Sequence, residues 1–337
     1  GATGVDPNAV VTATWNKWMP TPPTGTFTVS GPGGAVAGTF SWDGGSKTHT
    51  FTPSTPLAPG LYTVLIENNH DGGDNQFVSV TFSFTVPAPT EIFVTAAGGT
   101  VSGMPYTKYD ILRWDDNGWS KWFDGAAAGL NNRHDINAIA VPDGSTGEAW
   151  FTFSANRVML PGMVDWVMGQ DVAYYDGAAW SLYIDGSDLG LTTIAEKIDS
   201  LEVIPNGAPG CEAVVLLSTQ GNGRVNGLGA IRGADIMTMC LIQSGANTTY
   251  SWIGIQRGLD LGMPNNATIA LSMATADATE LFLLTRNVFN VDSASGGHSM
   301  VYRYDMGGES FDGPHWRATD HGLNQKTDGL DINGDID

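Results

Sequence analysis

The chain has 337 residues, with 15 lysines and arginines against 35 aspartates and glutamates, so its formal net charge is −20. A surface this acidic repels phosphate backbones and anionic lipid, which argues against nucleic-acid binding and against electrostatic docking on a membrane. No window approaches the roughly 18 continuous apolar residues of a membrane-spanning helix. Abundant glycine, few charged residues and many aromatic residues are typical of turn-rich β-structure. We therefore predict an all-β protein.

The first 86 residues contain six short segments in which apolar and polar residues alternate, with glycine-rich turns between them. This pattern predicts a small antiparallel β-sandwich over residues 1–86. The two prolines within residues 87–90 then indicate a short, stiff linker. The six segments are Val10–Trp15, Gly25–Ser30, Ala37–Trp42, Thr48–Thr52, Gly60–Glu67 and Phe77–Val86.

Two phrases in this region carry a family resemblance: GATGVDPNAVVTATW, from Gly1, and FTPSTPLAPGLYTVLI, from Phe51. They resemble the bacterial Ig-like domain first described in S-layer proteins. The resemblance covers residues 1–86 and implies an Ig-like sandwich. It departs at the front, because the family's leading proline-containing strand would lie before Gly1. We therefore expect that the natural chain continues upstream or was cut there.

Beyond the linker, the chain repeats itself. A tryptophan stands 11 residues before a leucine or methionine in three phrases, and a fourth phrase keeps only the Gly-Leu ending. Apolar segments that begin at Glu148, Glu212 and Glu280 also recur, but the last repeat stops at Asp337 without such a segment. Its counterpart is Glu91–Ala97, directly after the linker. The four phrases are Trp119–Leu130, Trp180–Leu191, Trp252–Met263 and Asp312–Leu323.

Four repeats of about four strands each, closed by a swapped strand from the other end of the region, describe a four-bladed β-propeller over residues 91–337. Closure is favoured because it removes free sheet edges. An open β-solenoid or a second sandwich is the alternative. The repeated phrases also resemble recurrent uncharacterised modules of secreted bacterial proteins, which implies an extracellular location and no known activity.

The aromatic residues suggest two kinds of role. The repeated tryptophans could stack on sugars, but a fixed position in every repeat favours packing between blades. Trp122, Trp150 and Trp166 are not repeated, so they are better candidates for exposed binding side chains.

Three aspartates, Asp110, Asp171 and Asp235, occupy the same point of three repeats, with His298 in the fourth. Near the axis of a ring their carboxylates would repel one another unless a cation or backbone N–H groups satisfied them. Calcium would do so through oxygen ligands. Alternatively, each aspartate accepts hydrogen bonds from its own turn.

A second candidate calcium site is the C-terminal phrase DINGDID, in which Asp331, Asn333 and Asp335 match the first, third and fifth positions of a calcium loop. The sixth position is Ile336 where an EF-hand needs glycine, and no glutamate follows. The alternative is a simple turn before the swapped strand.

The two cysteines are expected to be bonded to each other. If their strands form a hairpin about Asn226, facing residues have numbers that sum to about 451, as Cys211 and Cys240 do. Directly opposed Cα atoms lie within disulfide range. A disulfide would favour an oxidising compartment, whereas two buried free thiols are the alternative.

No nucleophile, metalloprotease or phosphate-loop motif is present, so we assign no catalytic residues. The long segment Ala155–Gln170 contains an apolar cluster that includes Met159, Met163 and Trp166 and could contact a partner. Otherwise the cluster folds back onto the propeller.

We expect a bacterial, extracellular, non-enzymatic structural or adhesive protein of a surface layer, appendage or complex that binds another surface protein. The first alternative is a carbohydrate-binding module that uses exposed tryptophans such as Trp122. The second is a secreted hydrolase or lyase in the propeller funnel.

Overall fold

The structure, a computed structural model, describes residues 2, 5, 8–20, 25–58, 60–86, 91–115, 117–260, 263, 269–272, 280–285, 289–291, 294–296, 300–305 and 310–333. The predicted linker at residues 87–90 lies outside the described residues, as do His298 and Asp335. The described fold is all-β and its sheets are antiparallel, as predicted. Its helices are two short 3₁₀ turns, Ile194–Glu196 and Ala318–His321. Over the described ranges, no helix is long and apolar enough to cross a membrane.

Contacts divide the chain into two compact units, Gly1–Pro89 and Thr90–Asp337, which we call unit 1 and unit 2. Unit 1 has a three-stranded sheet of order β1-β5-β4 and a four-stranded sheet of order β3-β2-β6-β7. Both sheets contribute to one apolar core that contains Phe51 from the first sheet and Val64 from the second. Its strands are β1 (Val11–Thr14), β2 (Thr26–Gly31), β3 (Gly34–Ala35), β4 (Gly38–Asp43), β5 (Thr48–Pro53), β6 (Gly60–Glu67) and β7 (Val80–Val86).

Unit 2 contains four four-stranded antiparallel sheets, which we number I to IV in chain order. Sheet I consists of β8 (Glu91–Ala96), β11 (Ile111–Asp115), β12 (Gly118–Phe123) and β31 (Thr327–Asn333). Sheet II consists of β13 (Ile136–Ala140), β14 (Glu148–Phe153), β17 (Val172–Asp176) and β18 (Trp180–Ile184). Sheet III consists of β19 (Ile198–Pro205), β20 (Ala213–Thr219), β23 (Ile236–Gln243) and β24 (Thr249–Gln256). Sheet IV consists of β25 (Ile269–Ser272), β26 (Glu280–Thr285), β29 (Met300–Asp305) and β30 (Ser310–Arg317).

Sheet I joins the two ends of unit 2. Its last strand in the chain, β31, pairs with its first, β8, and the register places Leu330 opposite Val94 and Ile332 opposite Ile92. The predicted pairing of Glu91–Ala97 with the end of the chain is therefore confirmed. The other three sheets are each built from consecutive segments.

The first strand in the spatial order of each sheet (β31, β13, β19 and β25) contacts its counterparts in the neighbouring sheets. β13 contacts β31 and β19, and β25 contacts β19 and β31. Apolar cores fill the spaces between consecutive sheets, and one lies between sheet IV and sheet I. Representative pairs are Phe93 with Phe151, Trp150 with Leu217, Leu216 with Leu283, and Leu284 with Val94.

In each of sheets I to IV, a small hairpin joins the second and third strands in spatial order. Each hairpin therefore lies at the same end of its own sheet. Such connections can vary in sequence without disturbing the sheets, which makes them natural carriers of binding residues. The hairpins are β9 (Gly99–Val101) with β10 (Met104–Tyr106), β15 (Arg157–Val158) with β16 (Val167–Met168), β21 (Gly223–Val225) with β22 (Gly229–Ile231), and β27 (Phe289–Val291) with β28 (Ala294–Gly296).

Candidate functional site

The β15–β16 hairpin of sheet II carries the largest predicted apolar cluster. Val158 pairs with Val167 at its base, and both side chains are buried in the core between sheets I and II. Leu160 is buried in the same core, and Met163 packs against it. The alternative that the cluster folds back onto unit 2 therefore holds for this half of the hairpin.

Other residues of the same hairpin, which are interleaved with the buried ones, face outward. Val164 is 89% exposed, Trp166 49%, Met168 40% and Met159 38%. We call these four side chains the hairpin patch. Single exposed apolar residues are ordinary, but four on one short connection make it a candidate for a contact with another molecule.

Two of the four residues of the hairpin patch are held by contacts, one from the hairpin itself and one from the connection before sheet II. The Arg157 guanidinium lies 4.6 Å from the Trp166 ring centroid, a cation–π arrangement. The Nε2 atom of His134 lies 3.1 Å from the carbonyl oxygen of Met159. These contacts reduce the conformational entropy that the patch would lose on binding.

The three equivalent aspartates each brace their own turn. Each carboxylate accepts a hydrogen bond from the N–H of the residue three positions earlier and another from a glycine N–H beyond the outer strand. The glycines are Gly125 for Asp110, Gly186 for Asp171 and Gly258 for Asp235, at 2.9 Å in every case. This is the alternative that the sequence left open. Across the described ranges, no three His, Cys, Asp or Glu side chains lie close enough to hold a metal.

The three aspartates differ in their cationic partners. Lys121 Nζ lies 2.9 Å from Asp110, and Arg257 Nη1 lies 2.7 Å from Asp235. Asp171 has no salt bridge within the described part of the chain. Its burial raises its pKa to about 6, an effect that its backbone hydrogen bonds oppose and the nearby Asp185 reinforces.

The second candidate calcium site is only partly described. Asp331 is buried within β31, opposite Phe93, and Asn333 ends that strand. Asp331 and Asn333 therefore belong to a paired strand rather than to the beginning of a loop. The third predicted ligand, Asp335, lies outside the described residues.

The repeated tryptophans are bonded to neighbouring structure by their indole N–H groups. Trp119 donates to the carbonyl of His321 at 2.6 Å, which links sheet I to the connection after sheet IV. Trp180 donates to Ala128 at 3.0 Å, which links sheet II to the connection after sheet I. Trp252 donates to Asn226 at 2.7 Å, in the β21–β22 hairpin of its own sheet. These contacts support packing rather than sugar stacking.

The non-repeated tryptophans lie in different environments. Trp166 is in the hairpin patch, whereas Trp150 is buried between sheets II and III and is not the surface side chain that the sequence suggested. It was misassigned because a second strand in a repeat sheet is covered on both faces. Trp122 is partly buried, packs edge-on against Phe93 at 5.2 Å between ring centroids, and lines a cavity.

That cavity was not anticipated from the sequence. It measures about 330 Å³ and lies between Trp122 and Asp124 on one side and Glu148, Tyr175 and Asp176 on the other. Two backbone N–H groups, from Ala179 and Ala178, hold the pKa of Asp176 below its ordinary value, so this carboxylate stays ionised. Residues of the repeated phrase Trp119–Leu130 form one wall, but the opposite wall comes from the next sheet, so the phrase alone does not reveal the cavity.

Cys211 and Cys240 form the disulfide, with Cα atoms 5.2 Å apart. The register that led to this pair was wrong, because Val214 rather than Cys211 lies opposite Cys240. Cys211 precedes β20 in a turn, where its N–H bonds to the carbonyl of Ala208. That turn brings its Cα atom close to Cys240 from outside the ladder.

No protein-family model matches the chain, and no curated protein matches it. Solved structures that are similar to it include three of the S-layer protein SbsC. Its N-terminal part is 14% identical with a TM-score of 0.22, over 49% of this chain and 40% of that one. Domains 1–6 are 11% identical with a TM-score of 0.20, over 84% and 44%. The fragment 31–844 is 11% identical with a TM-score of 0.19, over 98% and 53%.

This chain thus spans about half or less of the length of those S-layer structures. TM-scores this low establish no common fold.

Proposed function

We propose that the chain is a non-enzymatic extracellular scaffold, in which unit 2 is a four-bladed β-propeller that presents the hairpin patch to another surface protein. The observation that carries the proposal is the hairpin patch itself: Val164 and Trp166 protrude from a hairpin whose base is anchored in a core between two sheets. An exposed apolar surface on a rigid support is typical of protein contact sites.

The propeller is supported by three features of unit 2. Each of the four cores lies between consecutive sheets, including sheet IV and sheet I. The first strands of the sheets contact their neighbours in cyclic order. The β8–β31 pairing joins the two ends of the unit, so sheets I to IV all belong to the cycle.

The extracellular location is supported by the Cys211–Cys240 disulfide, because disulfides persist mainly in oxidising compartments. The non-enzymatic role is supported by the use of the repeated aspartates as turn braces. Each of these carboxylates accepts backbone hydrogen bonds that fix a connection, which is a structural role.

Site-specific photocrosslinking on intact cells that make the protein tests the hairpin patch. Val164 is replaced by photoreactive benzoylphenylalanine, and Ile253, which is 57% exposed on an outer strand of sheet III, is replaced in the control. We expect one defined protein adduct from position 164, none from position 253, and loss of the adduct with Trp166→Ala. Equal adducts from both positions, or none from position 164, would contradict the proposal.

Carbohydrate binding is the second candidate, and the cavity beside Trp122 favours it. An aromatic ring bordered by carboxylates offers both a stacking face and acceptors for sugar hydroxyls. A glycan array decides between the two candidates: binding that Trp122→Ala removes and Trp166→Ala leaves intact supports a carbohydrate module and locates it in this cavity.

A further inference from the structure

The three-stranded sheet of unit 1 ends in an edge strand on each side. Within the described residues, β1 and β4 each pair with β5 alone. An edge strand exposes N–H and C=O groups that can pair with another chain, and most proteins protect such edges with lysine, proline or a bulge. Neither VTAT of β1 nor GTFSWD of β4 contains lysine or proline, and neither pairing has a register shift.

The β4 edge offers aromatic side chains. Phe40 is 47% exposed although its ring packs against Phe51, with centroids 5.0 Å apart. Trp42 follows two residues later and therefore projects from the same face of the sheet, toward the side of the core. These two side chains are incompletely covered because the sheet stops at β4.

The β1 edge offers a space for such side chains. A cavity of about 390 Å³ is lined by residues 12–16 of β1 and its continuation, and on the opposite wall by Phe77, Val78, Val80 and Phe82. Val78, Val80 and Phe82 alternate along the chain and are all exposed, although Phe84, which continues the same alternation, is buried in the core. The sandwich thus lacks cover over this part of its inner face.

The geometry of β5 relates the two edges. Val11 and Phe40 both lie opposite Phe51, so they are level across the sheet, and β1 and β4 are parallel because each is antiparallel to β5. A second copy translated sideways would place its β4 beside β1 in the same direction, with Trp42 at the cavity. Lys17, which follows β1, is 60% exposed but already forms an ion pair with Asp71 at 3.6 Å, so the contact depends on strand pairing rather than on charge.

We propose that the β1 edge of unit 1 binds the β4 edge of a second copy of this chain, with the aromatic side chains of β4 covering the cavity. This is addition of a strand to an open sheet edge. The two surfaces are different, so the contact is head-to-tail and repeats from copy to copy. The net charge of −20 on each copy opposes association. Salt screens this repulsion, so a higher salt concentration is expected to strengthen the association.

Sedimentation velocity of the full chain at low and high salt tests this contact. The wild type is expected to form a concentration-dependent series of oligomers at high salt. Thr12→Lys on β1 and Thr39→Lys on β4 each block one edge at an exposed position, so each variant alone is expected to remain monomeric. An equimolar mixture of the two variants is expected to stop at dimers, because each copy keeps one open edge.

The matched control is Leu61→Lys, which changes a side chain that is 60% exposed on β6, a strand with neighbours on both sides. It is expected to associate like the wild type. Trp166→Ala is also expected to associate like the wild type, because it changes only the hairpin patch; a loss of partner binding in that variant would count against the proposed function and not against this contact. A wild type that stays monomeric at every salt concentration, edge variants that associate like the wild type, or a mixture that stays monomeric would each overturn the proposal. Circular dichroism confirms that every variant is folded.

Discussion

Lys121 Nζ lies 2.9 Å from a carboxylate oxygen of Asp110. In the next sheet the corresponding aspartate, Asp171, makes the same two backbone hydrogen bonds, but Leu182 stands where sheet I has Lys121. One repeat therefore keeps a buried carboxylate without the cation that its neighbour has. Two predictions follow from this difference.

The first concerns pH. Burial raises the pKa of Asp171 from its ordinary 3.8 to about 6, so the folded protein holds this proton more tightly than the unfolded chain. The contribution of Asp171 to stability is therefore complete below about pH 4 and is lost as the pH rises through about 6, a change on the order of 3 kcal/mol. Urea unfolding of the wild type and of Asp171→Asn from pH 4 to pH 7 measures it. The wild type should lose stability relative to the variant over this range, and a constant difference would refute the assignment.

The second prediction concerns a cation introduced beside Asp171. Leu182→Lys places an ammonium group beside Asp171 as Lys121 does beside Asp110, and it should lower the pKa of Asp171. We expect a gain of about 1–2 kcal/mol in unfolding free energy at pH 7 and little gain at pH 4, where Asp171 is protonated. Thermal and chemical unfolding at both pH values provide the measurement. A gain that is equal at the two pH values would show that the effect does not pass through Asp171.

The third prediction concerns the glycine that each aspartate binds. A Cβ atom on Gly186 would meet the carbonyl oxygen of Gln170, which cannot move without breaking the turn. Gly186→Ala is therefore expected to destabilise the protein by about 2–4 kcal/mol. Gly147→Ala is the control, because a Cβ atom there has no neighbour within 4 Å. Unfolding midpoints compare the two, and equal effects would mean that the turn tolerates the side chain.

The fourth prediction compares two buried tryptophans of sheet II. The indole N–H of Trp180 donates to Ala128 at 3.0 Å, whereas that of Trp150 has no partner among the described residues. Trp180→Phe should therefore cost about 1 kcal/mol more than Trp150→Phe, because it leaves the partly buried carbonyl of Ala128 without its donor. Differential scanning calorimetry gives both values. If Trp150→Phe destabilised the protein as much as Trp180→Phe, the hydrogen bond from the Trp180 indole would not be what links the two sheets.

The repeats could be recognised in the sequence at positions where each sheet has the same type of residue. The tryptophan phrases and the segments that begin with glutamate located most strands of unit 2, and the missing segment of the last repeat predicted the β8–β31 pairing. Repeats carry this information because each sheet packs against a similar neighbour and so requires similar residues.

The candidate site was harder to predict. The hairpin patch could be suspected from its composition, but which half is buried depends on the core between sheets I and II. The cavity beside Trp122 joins residues from two sheets, so no local pattern reports it. The cysteine register failed by three residues because Cys211 lies in a turn that precedes the strand, which strict alternation does not describe.

The most direct test of the proposed closed arrangement is a disulfide across the β8–β31 pairing. Glu91 lies opposite Asn333 in the β8–β31 pairing, and both side chains are partly exposed. The double variant Glu91→Cys with Asn333→Cys should crosslink under mild oxidation, and non-reducing peptide mapping should find the two positions in one species. Glu91→Cys with Glu148→Cys, whose strands belong to different sheets, is the control and should keep its new thiols free. Free thiols at both positions of the first variant would contradict the closed ring.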